Sequence, residues 1–358
     1  MSQFINFGGG GDGNVTLSGT DSPIDSACNG TAGATSLSAT NGSFAAGQMI
    51  FIHQTQGTGN TQWEVNYIVS YSAGTITTLN NLDYTYASGA QVLVVKQYSS
   101  ISGSLTAKSW NGSVGGIIAL ACTGQALLDG TFNLAGKGFR GAGGGSTQQQ
   151  TGRQGEGTAG ATYTRTTSAN GNGGGGGLGG GGDASMPASG GAGGGNGATG
   201  SNSTGVNGGT PATGGSAVGS ADLTTMSLGG AGGEGGTRNN TSTDNAVEGF
   251  GGGMFILFAR IITVTGSVSL NGGNATRGDS PYGEGGGAGG SALLKGQRIT
   301  LGTNQITALG GAQEGGGGDG AVGRTRIEAC SRTGSTNPAA SESIGGFNFC
   351  GGASAIIG

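Results

Sequence analysis

The chain has 358 residues, of which 89 are glycine, 33% are hydrophobic and only 9% are charged, with a formal net charge of −4. So few core-forming side chains argue against a conventional globular core of this size, and 14 Lys and Arg without a basic cluster argue against a nucleic-acid partner. No apolar run approaches the ~18 residues of a membrane-spanning helix, so no membrane insertion is expected.

Residues 1–30 read as an N-terminal strand and cap. The opening Met1-Ser-Gln-Phe-Ile-Asn-Phe7 has neither the positive region nor the apolar run of a secretory signal. Either a signal was removed and a Met added, or the protein leaves the cell without one, as virion proteins released by lysis do. Residues 31–99 hold short strands at Gly47–His53, Trp63–Val69, Thr75–Leu79 and Gly89–Val95, separated by turn clusters, a spacing that predicts a small antiparallel barrel or meander. These runs resemble the small barrel-like modules within β-helical phage tail proteins.

An internal repeat follows. Gly116–Leu120 with Gly130–Gly136 matches Gly252–Ile256 with Gly266–Gly272 at an offset of 136 (Gly116 to Gly252), and the pattern returns at Gly290–Leu294 and Ile306–Gly310, where Ile306 answers Val268 at an offset of 38. A weaker copy is Gly323–Ala329, and Ile101–Ala107 reads as a further rung. In each unit Phe132/Leu134, Val268/Leu270 or Ile306/Ala308 alternates with a polar residue, the period of a strand with one buried face. No unit buries that face alone, so the copies are expected to stack as a β-solenoid or β-prism over 100–140 and 251–330.

Between the copies lies a glycine-rich insert, 141–250. From Gly141 to Gly253, 41 of 113 residues are glycine, without the strict three-residue period of collagen. Composition alone predicts a flexible linker. The route to order is the polyproline-type helix, whose peptide groups are all free to bond laterally to neighbouring bare helices. That arrangement resembles the glycine-rich sandwiches of phage receptor-binding adhesins and the glycine-helix bundles of some antifreeze proteins. It departs from the first in its long Ser/Thr/Asn segments and from the second in lacking the triplet period. The expected fold class is therefore all-β: solenoid or prism-like repeats, an inserted small barrel, a polyglycine-II-like region and no significant helix.

Chemistry is scarce in this sequence. The single histidine, His53, lies in the apolar strand after Ile52 and reads as a satisfied structural residue rather than the centre of a triad. Four cysteines show no C-x-x-C spacing and no histidine partners, so no zinc, other metal or cofactor is expected. Cys330 and Cys350, the closest pair in sequence, are the disulfide candidates; buried or idle thiols are the equal alternative. The carboxylate pairs Asp244/Glu248 and Glu314/Asp319 read as solvated loop acids rather than a glycan-cleaving pair. No catalysis is expected.

Two features remain. Tyr163, Arg165, Arg238, Phe250, Arg277 and Tyr282 are aromatic and basic residues stranded among glycines, candidate contacts to a sugar or protein surface or else caps on the open ends of the stack. The tail, 331–358, carries Phe347, Phe349, Ile356 and Ile357, apolar residues of a strand that closes its own fold or adds to a neighbour's sheet.

From Gly252 to Glu328 the chain resembles a family of glycine-rich β-repeat surface proteins of phages and environmental bacteria. That resemblance implies a non-enzymatic structural or adhesive role on a virion or cell exterior, and it transfers no site residues. The expected function is a phage tail-fibre or receptor-binding component whose partners are further copies of itself and a cell-surface glycan or protein. The alternatives are a self-assembling extracellular filament or matrix subunit and, remotely, a glycan-cleaving tailspike-like enzyme.

Overall fold

The computed structural model describes residues 7–143, 150–160, 164–180, 186–237, 248–276, 282–345 and 350. Its strands are β1 (Asn14–Leu17), β2 (Asp25–Gly30), β3 (Ser36–Ala39), β4 (Met49–Gln54), β5 (Trp63–Ser72), β6 (Thr75–Thr78), β7 (Tyr86–Tyr98), β8 (Ser100–Gly103), β9 (Leu105–Thr106), β10 (Ile117–Leu128), β11 (Thr131–Asn133), β12 (Ala188–Ser189), β13 (Gly205–Val206), β14 (Met254–Val264), β15 (Ser267–Ser269), β16 (Ser291–Thr300), β17 (Ile306–Thr307), β18 (Arg324–Thr333), β19 (Thr336–Asn337) and β20 (Ser341–Ile344). The described residues contain no α-helix, so the chain is all-β.

Strands β2, β3, β6, β5, β4 and β7 pair antiparallel in that order, and β2 returns to β7, closing a six-stranded barrel. Alternation drives the closure: Leu37, Ile50, Ile52, Ile68, Ile76, Val92 and Val94 fill the lumen. Two staves escaped the sequence reading. β2 falls in the segment assigned to the N-terminal cap, and β3, Ser-Leu-Ser-Ala, is too short and polar to stand out. β7 is long because it serves twice. Its first half completes the barrel, and Lys96–Tyr98 pair parallel with Leu120–Cys122 of β10.

From there a parallel sheet runs β1-β8-β10-β14-β16-β18-β20, and a second runs β9-β11-β15-β17-β19. The repeat sets the registers: Phe132 pairs with Val268, and Val268 with Ile306, at the offsets read from sequence. The first half of the repeat differs by one residue. Ile117 pairs with Met254, an offset of 137, and a β-bulge between Cys122 and Gln125 restores 136 from Gln125 to Ile261. Columns such as Leu120, Leu257, Leu294 and Ile327 stack side chain on side chain between the two sheets. The opposite face of β10 and β14 carries Ile117, Ala119, Met254 and Ile256, packed against Met49, Phe51, Trp63 and Leu93 of the barrel and against Leu223, Met226 and Leu228.

Strands β14, β16 and β18 are each entered from a glycine run, ending at Gly253, Gly290 and Gly323. These runs are assigned no strand, yet their amides are bonded. Successive donors in 229–237 visit three neighbours in rotation. Gly229 and Gly232 donate to Gly252 and Gly249; Gly230, Gly233 and Gly236 to Gly195, Ala192 and Ser189; Ala231, Glu234 and Thr237 to Glu156, Arg153 and Gln150. The same rotation governs 285–290, where Gly285 and Ala288 bond Gly233 and Gly230, Gly286 and Gly289 bond Gly318 and Ala321, and Gly287 and Gly290 bond Gly273 and Leu270. Segments lie so close that a Cβ added at Gly230 would stand 1.7 Å from the Asn172 carbonyl oxygen, and one at Gly251 1.7 Å from that of Gly229.

Candidate functional site

The barrel grips the glycine segments through a short list of polar side chains. His53, fully buried, has Nε2 3.0 Å from the Met226 carbonyl oxygen and Nδ1 2.8 Å from Thr55 Oγ1. Thr55 Oγ1 also accepts from Gln91 Nε2 at 2.9 Å, so the hydroxyl donates to Nδ1 and the imidazole donates from Nε2. Burial pushes the imidazole down to about 4, keeping it neutral, although the Met226 carbonyl acts in the opposite direction. Trp63 Nε1 donates to the Leu223 carbonyl, and Gln56 Nε2 to the Gly157 carbonyl and Glu156 Oε1. The sequence reading of His53 as a structural residue agrees with this geometry.

Four glutamates, Glu156, Glu234, Glu248 and Glu284, are buried among the glycine rows. Gly235 breaks the rotation described above, and its amide donates instead to Glu284 Oε2 at 2.5 Å. Glu156 Oε2 accepts from the Arg140 amide and side chain, Glu234 Oε2 from the Arg153 amide, and Glu248 Oε2 from the Gly143 amide. Each carboxylate thereby supplies an acceptor that a glycine neighbour would otherwise provide. Glu248 is 1% exposed, which corrects its reading as a solvated loop acid; its Oε2 accepts the Gly143 amide among close-packed glycine segments. Asp244 lies outside the described residues. Glu314 and Asp319 remain near the surface, and Asp319 Oδ1 accepts the Gln313 amide.

Of the six residues proposed as surface contacts, Tyr163, Arg238 and Arg277 lie outside the described residues. Tyr282 is 4% exposed, so it is a packing residue rather than a surface contact: its carbonyl lies against Gly235 among close-packed backbones. Arg165 is half-buried and donates to the Thr151 carbonyl at 2.8 Å, with Glu234 3.9 Å away. Phe250 alone stands out, 37% exposed. The backbone beneath it is pinned: Gly249 and Gly251 donate to the Gly285 and Phe139 carbonyls, and the Phe250 carbonyl accepts from Gly273. An aromatic side chain thus projects at the surface from a hydrogen-bonded backbone.

Cys330 of β18 is disulfide-bonded to Cys350, as their proximity in sequence allowed, tying the chain beyond β20 back to the stack. Cys28 and Cys122 are buried free thiols. The tail residues Phe347, Phe349, Ile356 and Ile357 lie outside the described residues; within the tail, β20 pairs with β18 of its own chain. Among the described residues no group of three or more His, Cys, Asp or Glu is placed to hold a metal ion, and no helix is long and apolar enough to cross a membrane.

No family model matches the chain, and no curated protein or solved structure matches it.

Proposed function

We propose that this chain is a non-enzymatic adhesive protein of an exterior surface, a tail-fibre or receptor-binding component of a virion. In this reading the stacked repeats form a β-solenoid and the glycine segments a polyglycine-II-like bundle, together a stiff mount for surface residues. The rotation of donors among three neighbours supports the bundle, since three residues per turn is the period of a polyproline-type helix. The observation that carries the adhesive reading is Phe250: an exposed ring on an immobilised backbone loses little entropy on contact, which favours binding to a glycan or protein face. The Cys330–Cys350 disulfide is compatible with an oxidising exterior.

The experiment is direct binding of labelled protein to host cells, with Phe250→Ala as the paired variant. Saturable binding by the natural protein that falls at least about tenfold in the variant, with melting unchanged, supports the reading. Absence of the protein from purified virions, together with no binding to any susceptible cell, overturns it.

A further inference from the structure

The barrel lumen contains one acid with no counter-ion. Glu64 of β5 pairs with Ile52 of β4, which places its side chain on the lumen face with Ile52. It is 4% exposed; Oε2 accepts the Asp83 amide at 2.6 Å, and Oε1 is buried without a hydrogen-bond partner, as is the hydroxyl of Tyr86. The connection Asn80–Asp83 between β6 and β7 sends Leu82 into the lumen cluster while Asn80, Asn81 and Asp83 stay exposed. Leu82 is buried in the lumen and seats against Gly30, where a Cβ would lie 2.5 Å from Leu82 Cδ1. The segment is tied down by Leu82 N to the Ala34 carbonyl, Gly33 N to the Leu82 carbonyl, and a reciprocal pair in which Asn80 N donates to Asn66 Oδ1 and Asn66 Nδ2 to the Asn80 carbonyl.

We propose that Glu64 makes Asn80–Asp83 a proton-operated plug of the barrel, seated while the carboxyl is protonated and loosened when it ionises. Burial and the neighbouring Asp83 charge favour the neutral form and outweigh the Asp83 amide and the Asn66 side chain, which favour the ionised one. Asp83 on the plug is a second acid; Tyr86 comes from β7 and Cys28 from β2, both held protonated by burial; Tyr84 follows the plug. Strands β3, β4 and β6 turn only uncharged residues inward, among them Leu37, Ile50, Ile52, Ile76 and Thr78, while His53 faces the glycine segments. Among the described residues no lysine, arginine or histidine acts on the carboxyl. Ionised, it is a buried charge favoured only by the Asp83 amide and the Asn66 side chain, and releasing the plug is the route by which water reaches it.

Desolvation raises the carboxyl from 4.5 to about 7. A raised acid stabilises the closed form most below the open-state value and loses that contribution as pH rises through the closed-state value. The plug is therefore firmest in acid, its opening constant climbs roughly tenfold per pH unit across the window from 4.5 to about 7, and it levels off above.

Amide exchange of Leu82 and Asp83 in the full chain tests this, read as the ratio of natural protein to Glu64→Gln at each pH, which cancels intrinsic exchange. The ratio is expected to rise roughly tenfold per unit between about pH 5 and about pH 7 and then flatten. A ratio independent of pH overturns the proposal. Should Glu64→Gln not fold, the carboxyl carbon shift of Glu64 in the natural protein decides: titration near neutrality supports the plug, titration in the ordinary glutamate range overturns it.

Discussion

The imidazole Nε2 of His53 lies 3.0 Å from the carbonyl oxygen of Met226, a residue 173 positions further along the chain. The contact adds a directional hydrogen bond between a barrel stave and the segment whose Leu223, Met226 and Leu228 pack against the barrel. A neutral ring donates into that carbonyl, and Thr55 and Gln91 fix its orientation.

From this follows a pH dependence. The folded-state value near 4 lies below the ordinary 6.5, so the unfolded chain binds the extra proton. The stabilisation is complete above about 6.5 and is lost as pH falls toward 4. His53→Gln is expected to melt lower at neutral pH by about 1–2 kcal/mol, for the lost hydrogen bonds, and to lose less than the natural protein on acidification. Glu64 acts in the opposite direction over an overlapping window, so the two proteins are compared at matched pH. Parallel acid profiles contradict the assignment.

Close approach of backbones makes glycines unequal. Gly230→Ala places a methyl group 1.7 Å from the Asn172 carbonyl oxygen, whereas at Gly42 nothing lies within 4 Å. Gly230→Ala is expected to cost more than about 3 kcal/mol or to prevent folding, and Gly42→Ala to change stability by less than about 0.5 kcal/mol. Urea unfolding of the two variants distinguishes them.

Within the stacked sheets, Leu257 stands between Leu120 and Leu294 and is fully buried. Leu257→Ala removes a rung from the middle of that column, with an expected loss of about 2–5 kcal/mol by denaturant titration. A loss below about 1 kcal/mol would mean that the column is not a packed core.

The disulfide is expected to act locally. Cys330 and Cys350 close a loop with a sequence separation of 20, which corresponds to about 3 kcal/mol of loop-closure entropy. Cys350→Ser is expected to accelerate exchange in β18–β20 while leaving the barrel strands unchanged. Uniform acceleration across the chain contradicts this.

Much of the architecture was legible because it depends on alternation, which a sequence displays directly. Phe132, Val268 and Ile306 declare both their strands and their registers. The bulge after Cys122 went unread although Gly124, the one glycine inside β10, is the kind of residue that marks one. β2 was hidden because Asp25–Gly30 presents Cys28 and little else that is apolar to the lumen. The lattice misled in a different way. Tyr282 and Glu248 look like loop residues beside glycine, but where glycine replaces the side-chain core, its few neighbours with side chains are drawn inside, where they fill gaps or accept backbone amides.

Backbone pairing among nearly bare segments is what orders 229–237 and 285–290. Residue-resolved amide exchange on the intact protein tests it most directly. Protection of Gly230, Gly233, Gly286 and Gly289 by several orders of magnitude, comparable to β14, is the expected result. Exchange at the rate of an unstructured peptide, with β14 still protected, would contradict it.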